Sequence, residues 1–170
     1  IISQLARYMS RHGRECFIPR LPEYCSSKWN FTPYIFTHKQ IDQIFCRSSL
    51  LRMYDRHMSN TMFSVPAVLR LIYSTGLRIS EALSIKNADV KFDQRYILIR
   101  KTKNGCERIV PINDGLSEVL QQYANYRDKI PVRHVSSPNS FFFIKSDGIY
   151  CNAQSIYKWF RRLLVESNIP

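Results

Sequence analysis

Apolar positions recur at two different periods along this chain, and the switch between them sets the expected fold. Val65, Val68, Leu69, Ile72 and Tyr73 fall at i, i+3, i+4, i+7 and i+8, the stripe of a helix buried on one face. Gly76 is placed to end that helix in the left-handed conformation, and a second short helix is expected from Leu77 to about Ile85. Upstream, Thr37 and Gln40 match a capping box that opens a helix with Ile41, Ile44 and Phe45 on its apolar side, ending near Ser48. A loop is expected from there to about Asn60. Downstream, Leu116, Val119, Leu120 and Tyr123 mark a helix from about Asp114 to Lys129, and Ile156, Trp159, Phe160, Leu163 and Leu164 mark a last one. Leu5, Tyr8 and Met9 place the end of a helix over residues 1 to about 15.

Between these helices the period shortens. Tyr96 to Lys101 and Glu107 to Ile112 are β-rich runs around Asn104-Gly105, a strong hairpin signal. With Asn104-Gly105 as a two-residue loop, Lys103 faces Cys106, Lys101 faces Arg108 and Ile99 faces Val110. Lys101, Lys103 and Arg108 then share one face at the hairpin tip. Asp89 to Phe92 offers a third short strand, and Phe141 to Ile144 with Ile149-Tyr150 a small extended pair around Ser146-Asp147-Gly148. The expected class is α+β, mainly α-helical with a small antiparallel sheet of about three strands. Pro19 to Pro33 holds three prolines among polar turn-formers and reads as an extended linker. The expected organisation is residues 1–20 as the tail of a helical domain, 21–32 as linker and 33–170 as the main domain.

Composition narrows the partners. Over 170 residues, 25 Lys and Arg against 13 Asp and Glu leave a net charge of +12, which favours nucleic acid first and anionic membrane surfaces second. An apolar content of 45% is enough for a core and argues against disorder. No apolar run approaches the roughly 20 residues of a membrane span, so no membrane partner is expected. Five scattered cysteines, without a Cys-x-x-Cys pair or histidines at zinc-ligand spacing, point to a reducing compartment and to no metal. The start Ile1-Ile2-Ser3 shows neither an initiator Met nor a leader, and a fragment is expected.

The segment Tyr73-Ser-Thr-Gly-Leu-Arg78-Ile-Ser-Glu81, followed by Lys101-Thr-Lys103-Asn-Gly-Cys-Glu-Arg-Ile-Val-Pro-Ile112, resembles the tyrosine recombinase or phage integrase family. The resemblance covers about residues 33–170 as the first part of the catalytic domain and residues 1–20 as the tail of a DNA-clamping helical domain. It implies that Arg78 is the first catalytic arginine, that Glu81 supports it, and that Lys103 is the general acid for a departing 5′-hydroxyl. It also implies double-stranded DNA as partner, a homo-tetramer in the synaptic complex, a cytoplasmic, DNA-associated location and no cofactor. The family's His-x-x-Arg motif and nucleophilic Tyr do not occur here: none of His12, His38, His57 and His134 has Arg three residues on. The resemblance therefore places the second arginine and the nucleophile outside this chain and implies that the chain alone is inactive.

The residues themselves support part of this. Arg78 and Glu81 stand at i and i+3, neighbours on a helix, so a carboxylate can hold the guanidinium in one orientation. A planar, permanently charged donor set suits the charge that builds on phosphoryl oxygens. Taken alone, the pair reads as a surface ion pair and Lys103 as a solvated turn lysine, with Lys101 a close competitor for any role at the tip. Lys101 and Arg108 at the hairpin, and Lys158, Arg161 and Arg162 on the polar side of the last helix, are candidates to contact a DNA backbone. The alternative is a non-catalytic DNA-binding or regulatory module on the same fold.

Overall fold

The computed structural model describes residues 2–15, 17, 33–51, 59–100 and 106–170. Two compact units are present, Ile1–Ile35 and Phe36–Pro170. In the first, helix α1 runs over Ile2–Arg11 and leaves Leu5 and Tyr8 exposed.

The second unit contains five helices and the sheet among its described residues. Helix α2 (His38–Ser49) starts where the capping box was expected: the Gln40 amide donates to Thr37 Oγ1 at 3.3 Å, and the Thr37 amide donates back to Gln40 Oε1 at 2.9 Å. A 3-10 turn over Ser59–Ser64, in the stretch read as the end of a loop, then leads into α3 (Val65–Thr75), with Pro66 in its first turn. Pro fits there because the first-turn amides have no partner inside the helix. Val65, Val68 and Leu71 are fully buried at the centre of the unit, where α3 packs on α2 and on two later helices.

Gly76 ends α3 with φ 64°, and its amide donates to the Ile72 carbonyl at 2.9 Å. The chain reverses there at once into α4 (Ile79–Leu83), so Arg78 arrives at the N-cap of that helix. Position 78 is therefore set by a left-handed glycine two residues earlier.

Sheet order is β1 (Val90–Lys91), β2 (Tyr96–Ile99), β3 (Arg108–Pro111), antiparallel throughout. The expected register is corrected here. Ile99 pairs with Arg108, and it is Ile97 that pairs with Val110, two residues away from the pairing that an Asn104-Gly105 two-residue loop requires. A slip of two preserves the faces, because side chains alternate with period two. Ile97 and Ile99 still point into the core, and Arg108, opposite Ile99, shares that side.

Asn113 caps α5 (Asp114–Arg127) and Asn152 caps α6 (Ala153–Glu166), each accepting from the amide three residues on. The expected pair around Ser146-Asp147-Gly148 is reduced to one isolated bridge, Ile144 to Tyr150, and Phe141 bridges to Lys86 instead. Helix α6 buries Ile156, Trp159 and Leu163, with Phe143 and Leu120 in the same core. Tyr123 joins the layers: its hydroxyl donates to the Phe142 carbonyl and accepts from the Ile144 amide and Ser64 Oγ at 3.1 to 3.2 Å. Burial pushes that phenol up to about 12.

A β-carbon at position 76 meets nothing within 4 Å, so Gly76→Ala is opposed by backbone conformation alone. The expected cost is about 1–2 kcal/mol, measured as a lowered urea midpoint at unchanged m-value.

Candidate active site

Glu81 lies in the middle of the short helix α4 with only 2% of its surface exposed. A carboxylate there must be compensated, since burying an unpaired charge costs several kcal/mol. Three groups do so. The Arg78 amide donates to Oε2 at 3.1 Å, which also closes the N-terminus of α4. Arg78 Nη1 donates to Oε1 at 3.3 Å. Arg108, entering from β3, forks onto both oxygens, Nη1 to Oε1 at 3.2 Å and Nη2 to Oε2 at 2.8 Å.

These contacts are strong enough to override burial. Hydrogen bonding from Arg108 acts first in holding the Glu81 carboxyl down to about 2; desolvation opposes it, and the Arg78 amide and guanidinium add to it. The same bond raises Arg108 above its ordinary value. Two guanidiniums around one carboxylate leave a surplus of one positive charge. It sits outward, because the Arg78 side chain is 65% exposed against 43% for Arg108. Apart from the contact with Glu81, the Arg78 guanidinium has no protein partner among the described residues. The site can thus present fixed, unspent donors to an anion.

A second buried acid repeats the pattern eight residues later. Asp89, 3% exposed, accepts from the Lys86 amide at 3.1 Å and from Arg100 Nε at 2.6 Å. Arg100 also pairs with Glu107 across the hairpin at 3.5 Å. Both strands of the hairpin are therefore tied to the α4–β1 stretch, β2 through Arg100 and Asp89, β3 through Arg108 and Glu81.

The structure brings Arg78, Glu81 and Arg108 together. Lys101 and Lys103 lie outside the described residues. Arg108 is turned inward on Glu81, which the sequence reading had not assigned to it. Strand alternation puts Arg108 on the side of Ile97 and Ile99, and only the folded chain shows that Glu81 is what it meets there. On α6, Lys158 and Arg161 are exposed, whereas Arg162 is half-buried, donates to Glu166 Oε1 at 2.8 Å and lies over the Trp159 ring at 5.8 Å. Arg162 is thus already engaged within its own helix, while Lys158 and Arg161 are exposed on it. An apolar groove between α3, α4 and α6, lined by Leu69, Ile72, Ile79, Ile156 and Phe160, brings no polar chemistry to the site. Among the described residues no cluster of His, Cys, Asp and Glu fit to hold a metal is found. No helix among them is long and apolar enough to cross a membrane.

Comparison with known proteins follows the same residues. The model of the phage integrase family matches residues 35–170. Tyrosine recombinase XerC of Chlamydia caviae is 30% identical over 151 residues, covering 89% of this chain and 43% of the relative. Among solved structures, that of XerA recombinase superposes with a TM-score of 0.64 at 18% identity, over 82% of this chain and 45% of the other. The Tn1549 transposon integrase in complex with transposon right end DNA gives 0.63 at 18% identity, over 98% and 63%. The fold is shared with these structures, and the chain spans less than half the length of the XerC relative.

A carboxyl held down to about 2 against an ordinary 4.5 contributes stability that is complete above the higher value and is lost as pH falls through the lower one. The stability difference between the wild-type chain and Glu81→Gln is therefore expected to be largest above about pH 5 and to shrink steadily toward pH 2, read from urea midpoints at each pH.

Proposed function

This chain belongs to the phage integrase family, and we propose on that basis that the protein it represents is a site-specific DNA recombinase of the tyrosine type. Such an enzyme cuts one DNA strand at a time through a 3′-phosphotyrosyl link and rejoins it to another. The observation that carries the reading is the exposed Arg78 guanidinium, held at one corner by a buried, ionised Glu81.

In this mechanism a tyrosine oxygen attacks the scissile phosphorus and the bond to the 5′-oxygen breaks, with Arg78 stabilising the charge on the non-bridging oxygens. Lys103 delivers a proton to the departing 5′-oxygen, which then leaves as a hydroxyl. A 5′-hydroxyl of the second strand reverses the step, and the phosphodiester bond energy is kept in the covalent link. The reaction requires neither a cofactor nor a metal. Residues 33–170 form the first part of the catalytic domain, and residues 1–20 the tail of a helical domain that closes on the duplex. The nucleophile and the second arginine come from sequence beyond these 170 residues. Four protomers act around two duplexes in the cytoplasm. Lys101, Lys158 and Arg161 add backbone contacts, consistent with a net charge of +12.

A second reading is a non-catalytic DNA-binding or regulatory module on the same fold. The enzyme reading is tested in two ways. The 170-residue chain incubated with nicked duplex is expected to give a salt-sensitive retarded complex and no covalent adduct; an adduct resistant to denaturation would contradict the assignment of the nucleophile elsewhere. In a longer protein containing the remaining motif, Arg78→Ala is expected to abolish strand transfer. Duplex binding should stay largely intact, because one phosphate contact accounts for only about one unit of the salt slope. Near-normal recombination by that variant removes Arg78 from the active site.

A further inference from the structure

We infer that Arg108 is a positioning residue for Arg78, acting through Glu81 to keep the Arg78 charge available to a phosphate. The inference rests on the recombinase reading for what Arg78 contacts, and on geometry for the rest.

The contacts around Glu81 are unequal. Oε2 is held at 2.8 Å by Arg108 and at 3.1 Å by the Arg78 amide, and Oε1 is held at 3.2 Å by Arg108. Those three bonds fix the carboxylate plane before the Arg78 side chain is considered. Arg78 adds one contact, at 3.3 Å, to an oxygen whose direction is already set. Its orientation is therefore inherited from Arg108.

Charge makes the same point. Arg108 satisfies the buried carboxylate, and the second guanidinium is surplus. Without Arg108, Glu81 has one side-chain partner left. A forked pair with Arg78 then becomes the best compensation for a buried charge, drawing the guanidinium inward and leaving a site of zero net charge. A lysine at position 108 would keep the charge but not the fork, since an ammonium presents a single point rather than two parallel donors. Arg108 comes from β3 and Arg78 from the N-cap of α4, so the contact also makes the aim of Arg78 depend on the seating of the hairpin.

The test is side-chain NMR of the 170-residue chain, following the Arg78 Nε–Hε signal with inorganic phosphate as the probe. In the wild type the signal is expected to shift saturably with phosphate, and Arg78→Ala to remove it. Arg108→Gln is expected to move the Arg78 signal before any phosphate is added and to weaken the phosphate response about tenfold, the scale of one lost charge-assisted contact. Arg108→Lys should recover part of that loss, and it serves as the measured variant if Arg108→Gln does not fold. An Arg78 signal at its wild-type position with wild-type phosphate response in a folded Arg108 variant overturns the inference. If the wild-type signal ignores phosphate altogether, the recombinase role of Arg78 fails. The positioning claim is then decided by the phosphate-free spectra, where an unmoved Arg78 signal in the Arg108 variants defeats it.

Discussion

A carboxylate buried among Ala82, Leu83 and the core cannot persist as an ion unless the surrounding elements are arranged to hold it, and that requirement organises this end of the fold. Glu81 is compensated from three directions: its own helix start, the side chain three residues before it, and a strand 27 residues later. Removing any one partner leaves a desolvated charge short of donors, so α4 and β3 are held in a common frame. Asp89 imposes the same condition on β2 through Arg100. The C-terminal end of β2 and the N-terminal end of β3 are thus pinned by acids from one short stretch of chain. Net stabilisation by such pairs is modest, and what they provide is placement.

Much of the helical framework was legible because its signals are local. Thr37 and Gln40 fixed the start of α2, Gly76 the end of α3, and the apolar spacings the faces of α3, α5 and α6. These depend on residues three or four apart, and no distant partner has to be known. The register of the hairpin was not legible, because Asn104-Gly105 suggested a two-residue loop while the buried alternation of Ile97 and Ile99 is satisfied equally by a slip of two. The same slip decides what Arg108 touches. It stands opposite Ile99, so it reaches Glu81, a contact across 27 positions that no local rule gives. The engagement of Arg162 was not legible for a related reason. Helical periodicity puts it on the polar side, and only the packing of Trp159 and the position of Glu166 show that it is already engaged.

The family match runs over the whole second unit and includes Arg78, Glu81 and Arg108, the three residues that set the electrostatics of the site. The Thr-Gly-Leu-Arg wording acquires a physical meaning from their arrangement: the glycine turns the chain, leucine 77 is buried to anchor it, and arginine 78 emerges at the helix start with its guanidinium outward. Such preorganisation is what a reaction that builds charge on phosphoryl oxygens requires, because donors already in place cost nothing to reorient when the charge appears.

Whether Glu81 is ionised and gripped by Arg108 is read from its side-chain carboxyl in a carbon-13 NMR titration. Its midpoint is expected at about 2 in the wild-type chain and to rise in a folded Arg108→Gln variant. A wild-type midpoint near the ordinary 4.5, unmoved by that substitution, would mean that Arg108 does not hold the carboxylate.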